Sequence, residues 1–163
     1  STAMEMNHKL THGSLFSSIG GFELGAEMAG IETLWNCEIE KFQGEILKSR
    51  FPHAERFTDI TKTTGLRYVD IISGGFPCQD ISVAGKREGI NGKRSGLWSE
   101  MYRIVREVRP KYVIVENSPA LTISGLEQVL CGLSKIGYDA EWQCISNYAF
   151  GYPHKRERLY LIA

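Results

Sequence analysis

Short apolar runs that stop at glycine or at a carboxylate constrain this chain more than any other feature. Val69–Ser73 (VDIIS) runs into Gly74-Gly75, and Tyr112–Val115 (YVIV) runs into Glu116-Asn117. Runs this short and this rich in β-branched residues predict strands buried on both faces, as in a parallel sheet covered by helices. Segments of helical period lie between the strands: Phe22, Leu24, Ala26 and Met28 before the stop at Gly30, then Ile39–Ser49 closed by Phe51-Pro52, Leu97–Val108 and Leu121–Ile136. Further strands are predicted at Gly13–Ser17, Thr33–Cys37, Arg56–Ile60, Ala140–Ser146 and Arg158–Ala163. The alternation predicts an α/β fold, a Rossmann-like, doubly wound and mostly parallel sheet of about seven strands.

In such a sheet ligands bind beyond the carboxyl ends of the strands, so the residues just after each run matter first. The first predicted strand leads through Phe16-Ser17-Ser18-Ile19-Gly20-Gly21, a small-residue turn that admits a ligand to the backbone at a helix N-terminus and equally serves as a plain tight turn. Glu38 follows the second strand, placed to accept hydrogen bonds from ribose hydroxyls or simply to favour a helix start. Asp59 stands after the third, either facing an adenine amino group or capping a helix. Three signals in order, without a full GxGxxG, point to a nucleoside cofactor and suit S-adenosyl-L-methionine better than a dinucleotide. After the fourth strand, Gly74-Gly75-Phe76-Pro77-Cys78-Gln79 sets a thiol on a glycine-supported, proline-stiffened loop, whereas structural cysteines are usually buried and inert. Glu116 ends the fifth strand at the same edge, and His154-Lys155-Arg156-Glu157-Arg158 leads into the last one. Arg156 and Arg158, at i and i+2, share a face on an extended segment and could also be a solvated basic edge.

Nineteen Lys and Arg balance nineteen Asp and Glu among 163 residues, which excludes a uniformly basic nucleic-acid coat. The balance is local: residues 1–60 hold five basic and nine acidic side chains, and residues 61–163 hold fourteen and ten. Cys37, Cys78, Cys131 and Cys144 have no metal-ligand spacing, so no metal site and no disulfide framework is expected. With neither a secretory signal nor an apolar run of membrane-spanning length, the expectation is a soluble cytoplasmic chain with no membrane partner. Residues 1–12 read as an N-terminal extension or cloning remnant, and residues 13–163 as one catalytic domain.

Together, LFSSIGGFELGAEMAG, PCQDISVAGKREG, ENS and YPHKRER, in this order and spacing, resemble the cytosine-5 DNA methyltransferase family over residues 13–163. The resemblance implies the class I S-adenosyl-L-methionine-dependent methyltransferase fold and methyl transfer to C5 of cytosine in double-stranded DNA, through a covalent adduct on a flipped base. Cys78 matches the nucleophile and Glu116 the group that holds or delivers a proton at N3. Arg158 matches the arginine that grips cytosine O2, with Arg156 as its partner. Phe16, Ile19 and Gly21 would surround the methionine and adenosine parts of the cofactor. Glu38 would take its ribose, Asp59 and Ile60 its adenine, and Pro77 and Leu97 the remaining wall. Phe76, through its carbonyl, would receive the exocyclic amine, and Gln79, Ser82, Lys86, Arg94 and Asn117 fall to the DNA side. Ser82–Leu97, with Lys86, Arg87, Lys93 and Arg94, reads as a loop closing over DNA phosphates, or else as a bland surface loop.

Ser18 stands where the family usually has glycine, His154 where it has glutamine, and Ser118 where an aliphatic residue is common. The sequence ends at Ala163, before the target-recognition domain and the returning C-terminal helix that the resemblance leads one to expect. A second polypeptide supplying both is therefore one expectation. A non-catalytic cofactor-binding or partner-docking fragment and a tRNA cytosine-5 methyltransferase are the alternatives.

Overall fold

The computed structural model describes residues 9–17, 20–75, 96–117, 123–148 and 155–163. Its strands are β1 (Thr11–Leu15), β2 (Glu32–Cys37), β3 (Glu55–Phe57), β4 (Ile71–Gly75), β5 (Tyr112–Asn117), β6 (Glu141–Tyr148) and β7 (Lys155–Ile162). Between them run α1 (Gly21–Met28), α2 (Lys41–Arg50), a 3-10 turn (Ile60–Lys62), α3 (Gly96–Val108) and α4 (Ile123–Lys135). All seven strands form one sheet in the order β3-β2-β1-β4-β5-β7-β6. The pairings from β3 through β5 are parallel, and β7 runs antiparallel to both β5 and β6. The order in which strands are added thus reverses between β1 and β4, the switch point of a doubly wound sheet.

The core lies where the continuous apolar runs were expected: Leu15, Trp35, Ile72, Val113 and Val115 of the sheet meet Trp98, Met101, Ile104 and Val105 of α3. Val129 and Leu133 of α4 join the same cluster. Trp35 shows how closely the layers fit. Its indole occupies the space above Gly13, where a Cβ would fall 2.2 Å from the ring, and its Nε1 donates to the Arg67 carbonyl at 3.0 Å. Ordinary packed interiors leave no slack for that extra carbon.

Three expectations change. The segment 56–60 is not one strand: β3 ends at Phe57, and Asp59 caps the 3-10 turn instead. The last strand starts at Lys155 rather than Arg158, because Lys155–Arg158 pair with Tyr148–Ile145 of β6. The apolar helical positions do not mark the buried faces either. In α1 the buried residues are Glu23 and Ala26, while Leu24 and Met28 are exposed; in α2 they are Gly44 and Leu47, with Ile39 just ahead of the helix and Phe42 exposed. Residues three apart share a helix face, and the face of α1 turned to the sheet meets a polar layer of His12, Ser14 and Asn36. No helix among the described residues is long and apolar enough to cross a membrane.

Candidate active site

The carboxyl edge of the parallel strands gathers the predicted positions. At the end of β1 the chain turns through Phe16, which holds a left-handed backbone (φ 54°), an arrangement that non-glycine residues keep only where their surroundings enforce it. The Ser17 amide donates to the Cys37 carbonyl at 3.1 Å, tying this turn to β2, and the Gly20 amide returns to the Ser17 carbonyl at 3.0 Å. Gly20 must be glycine on two counts: its φ is 93°, and a Cβ would sit 2.6 Å from the Phe51 ring. At Gly21, the first residue of α1, a Cβ would meet nothing within 4 Å among the described residues.

One strand over, Glu38 is buried, and its Oε2 accepts the Glu40 amide at 2.9 Å just ahead of α2. Its backbone is clamped on both sides. The Glu38 amide donates to the Phe57 carbonyl at 3.1 Å, and Arg56 Nη1 donates to the carbonyls of Glu38 (3.0 Å) and Phe57 (2.8 Å). The Arg56 guanidinium fits only because α2 has glycine at position 44, where a Cβ would fall 1.6 Å from Nη2. Beyond β3, Asp59 Oδ1 accepts the amide and hydroxyl of Thr61 at 3.0 and 2.6 Å, which holds its carboxyl below the usual range. The capping role foreseen for Asp59 is therefore filled by one oxygen, and the other takes no hydrogen bond among the described residues. Ile60 puts its side chain into the core, and Arg103 of α3 grips this turn through the carbonyls of Ile60 (2.9 Å) and Thr63 (3.0 Å). Ile39 stands exposed between these carboxylates in sequence, an apolar surface next to Glu38.

At the centre of the edge, β4 ends in Gly74-Gly75. A Cβ on Gly75 would lie 3.3 Å from Glu116 Oε2 and 3.7 Å from the Phe22 ring, and one on Gly74 would lie 2.7 Å from Met101 Sδ and 3.8 Å from Phe16. Gly75 therefore lets the Glu116 carboxyl settle over the tip of β4, in register with it, while Gly74 makes room for Met101. Leu97, in the first turn of α3, is partly buried against the core. The β6–β7 ribbon supplies the other side. Asn117 pairs with Leu159, so Lys155–Arg158 continue past the end of β5, roughly 13 Å beyond it at strand rise, and this extension carries the positions of Arg156 and Arg158. Ile19, Phe76, Pro77, Cys78, Gln79, Ser82, Lys86 and Arg94 lie outside the described residues.

The cysteines sort by environment. Cys37 is buried, its Sγ is 3.7 Å from the Thr58 carbonyl, and burial pushes its thiol up to about 11, which suits a structural thiol and not a nucleophile. Cys131 is exposed on α4, away from the strand ends. No cluster of three or more metal-ligating side chains occurs among the described residues.

The chain matches the C-5 cytosine-specific DNA methylases over residues 10–163. It belongs to that family. It is 34% identical over 158 residues to the type II methyltransferase M2.BsuMI of Bacillus subtilis and 33% identical over 155 residues to M.HhaI of Haemophilus parahaemolyticus. Those matches cover 92% and 91% of this chain but 41% and 47% of the relatives, so the chain spans less than half their length. Among solved structures, a DNA modification methyltransferase encoded within an E. coli prophage superimposes with a TM-score of 0.76 at 24% identity, covering 94% of this chain and 46% of its own. The Dnmt2 methyltransferase of S. pombe gives 0.73 at 20% identity, with 95% and 49% covered; both establish the Rossmann-like methyltransferase fold. Arg56, Arg103 and Glu23 went unmarked in the sequence reading. The usable cue for Arg56 was Gly44, a glycine inside a predicted helix.

Proposed function

We propose that this chain is the cofactor-binding and base-modifying part of a DNA cytosine C5 methyltransferase. The observation that carries the reading is the placement of the Glu116 carboxyl over Gly75, at the tip of the strand that leads to Cys78, in a chain of this family. The strand ends also fit S-adenosyl-L-methionine: the turn at Gly21, the carboxylates of Glu38 and Asp59 for ribose hydroxyls and an adenine amine, and the apolar Ile39 beside them. When bound, that cofactor supplies a methyl group activated on a sulfonium.

Cytosine C5 is too weak a nucleophile to take such a methyl unaided. Addition of the Cys78 thiolate forms a sulfur–C6 bond and shifts the C5–C6 electron pair toward C5 and the ring. Glu116, holding a proton at N3, takes up the charge that develops there, and Arg158 and Arg156 neutralise the O2 side. After C5 is methylated, loss of its proton to a base returns the pair to the C5–C6 bond and releases Cys78 from C6. A base within duplex DNA must leave the stack to meet this edge, at a few kcal/mol of unstacking. Lys86 and Arg94 suit phosphate contacts that position DNA without reading sequence.

The test is methyl transfer from labelled S-adenosyl-L-methionine to unmethylated duplex DNA and to tRNA, by the chain alone and with a separately made target-recognition region. Label on DNA that vanishes in Cys78→Ser is the expected result. Label surviving Cys78→Ser overturns the mechanism, label on tRNA alone overturns the substrate, and cofactor binding without transfer under either condition overturns the catalytic reading in favour of a binding module.

A further inference from the structure

Helix α1 turns a carboxyl group, and not an apolar side chain, onto the sheet. Glu23 is fully buried, and its Oε2 lies 3.3 Å from where a Cβ of Gly20 would stand, so it packs directly beneath the turn proposed to wrap the cofactor. The surroundings are polar but short of donors. Ser17 Oγ donates to the Ser14 hydroxyl at 2.8 Å and approaches the Ser14 carbonyl at 3.2 Å. His12, on the same strand, is occupied at both ring nitrogens by Thr33 (2.8 Å) and Ser73 (2.7 Å). Beside Ser14 in register stands Asn36, also buried, whose Oδ1 has no hydrogen-bond partner among the described residues; neither oxygen of Glu23 has one of ordinary geometry there, although the Ser14 and Ser17 hydroxyls and the Glu23 amide come close. The layer thus holds three unmet acceptors. An ionised Glu23 would have only the Ser14 and Ser17 hydroxyls and its own amide to draw on, would leave the Asn36 oxygen unmet and would add a buried charge, a costly arrangement in a low-dielectric site.

Among the described residues, the groups facing Glu23 supply no cation. From β1 comes His12, which burial keeps neutral by pushing it down to about 4; from the end of β2 comes Glu38, of like charge; on α1 itself the neighbouring acid, Glu27, is exposed. We propose that Glu23 is a positioning residue that works as a neutral carboxylic acid, its proton giving the polar layer the donor it lacks and so fixing the Phe16–Gly20 turn for the methyl donor. Burial, the largest influence on this carboxyl, raises its pKa, in keeping with that role. The inference rests on the cofactor reading above for its functional half, while the protonation of Glu23 stands without it.

Two measurements separate those halves. Without cofactor, difference infrared spectra between the native chain and Glu23→Gln are expected to contain the C=O stretch of a protonated carboxyl at neutral pH; its absence there overturns the proposal. Binding of S-adenosyl-L-methionine, followed by calorimetry from neutral to alkaline pH, is expected to weaken roughly tenfold in the native chain, the loss that corresponds to about one pK unit of differential interaction. Glu23→Gln, a neutral near-isostere, should keep the neutral-pH affinity and lose the alkaline decline. A shared decline in both proteins, or a tenfold loss in folded Glu23→Gln at neutral pH, overturns the positioning role. A protonated carboxyl in a chain that binds no cofactor at any pH overturns the cofactor reading and the positioning role with it, leaving the buried acid itself established.

Discussion

Two glycine-to-alanine substitutions in helices, chemically identical, should move stability in opposite directions. In Gly25→Ala the new Cβ, in the middle of α1, meets nothing within 4 Å, so the reduced entropy of the unfolded chain and better helix propensity should stabilise the fold by about 0.5–1 kcal/mol. In Gly44→Ala the same gain is opposed, because the Cβ would fall 1.6 Å from Arg56 Nη2. That guanidinium is the far end of a flexible side chain and can swing into solvent, so the loss is not the clash itself but the hydrogen bonds to Glu38 O and Phe57 O at 3.0 and 2.8 Å. Charge-assisted bonds contribute about 1.5–3 kcal/mol each when desolvated; here one half-buried nitrogen serves both acceptors, so roughly 2–3 kcal/mol for the pair is a fair bound. Net, Gly44→Ala should destabilise by about 1–2 kcal/mol, read as a lower urea midpoint at unchanged slope. The decisive control is the double-mutant cycle: with Arg56→Ala already in place nothing remains to displace, and Gly44→Ala should then stabilise by about 1 kcal/mol, a coupling of roughly 2 kcal/mol. If Gly44→Ala lowers stability equally in both backgrounds, or raises it alone as Gly25→Ala does, the clamp on Glu38 contributes nothing and the reasoning fails.

Two further outcomes follow from buried groups. His12 is held neutral in the folded chain, near 4 against an ordinary 6.5, so the unfolded chain binds more protons between those values; stability should be complete above pH 6.5 and fall by about 3 kcal/mol as pH drops toward 4. Glu23 acts in the opposite sense, losing stability as pH rises through its elevated pKa, so urea midpoints should be compared between His12→Gln and the parent, both carrying Glu23→Gln; an acid slope unchanged by His12→Gln would refute the assignment. Gly13→Ala should destabilise by about 3 kcal/mol, since the obstacle 2.2 Å away is a rigid, fully buried indole that can make room only by shifting as a whole against its packed neighbours, and the displaced Trp35 should shift its fluorescence to the red; a neutral effect would mean that the β1–β2 contact is looser than its geometry.

What the sequence made legible was whatever depends on neighbours along the chain. β-branched runs closed by glycine or by a carboxylate marked β4 and β5, and the polar residue after each run marked Glu38, Asp59 and Glu116, because a parallel sheet puts every such residue on one edge. Strand direction was not legible in the same way. Nothing local in KRERLYLI says that it runs antiparallel to β5, and only that reversal carries the positions of Arg156 and Arg158 past the end of β5 instead of leaving them in a lead-in segment. Helix faces failed for a different reason. Periodicity assigns the apolar stripe to the core, which holds for α3, with Trp98, Met101, Ile104 and Val105 inward. In α1 and α2 the inward positions are Glu23 with Ala26 and Gly44 with Leu47, while Leu24, Met28 and Phe42 face out. Both exceptions flank the edge proposed to hold the cofactor, and in both the residue that broke the local rule is the one that fits a polar neighbour: Glu23 beneath the Gly20 turn, and Gly44 beneath the arginine that holds Glu38. A glycine inside a helix and a carboxylate in its buried stripe are, on this account, the same kind of mark, local preference given up where the backbone must be held for a ligand.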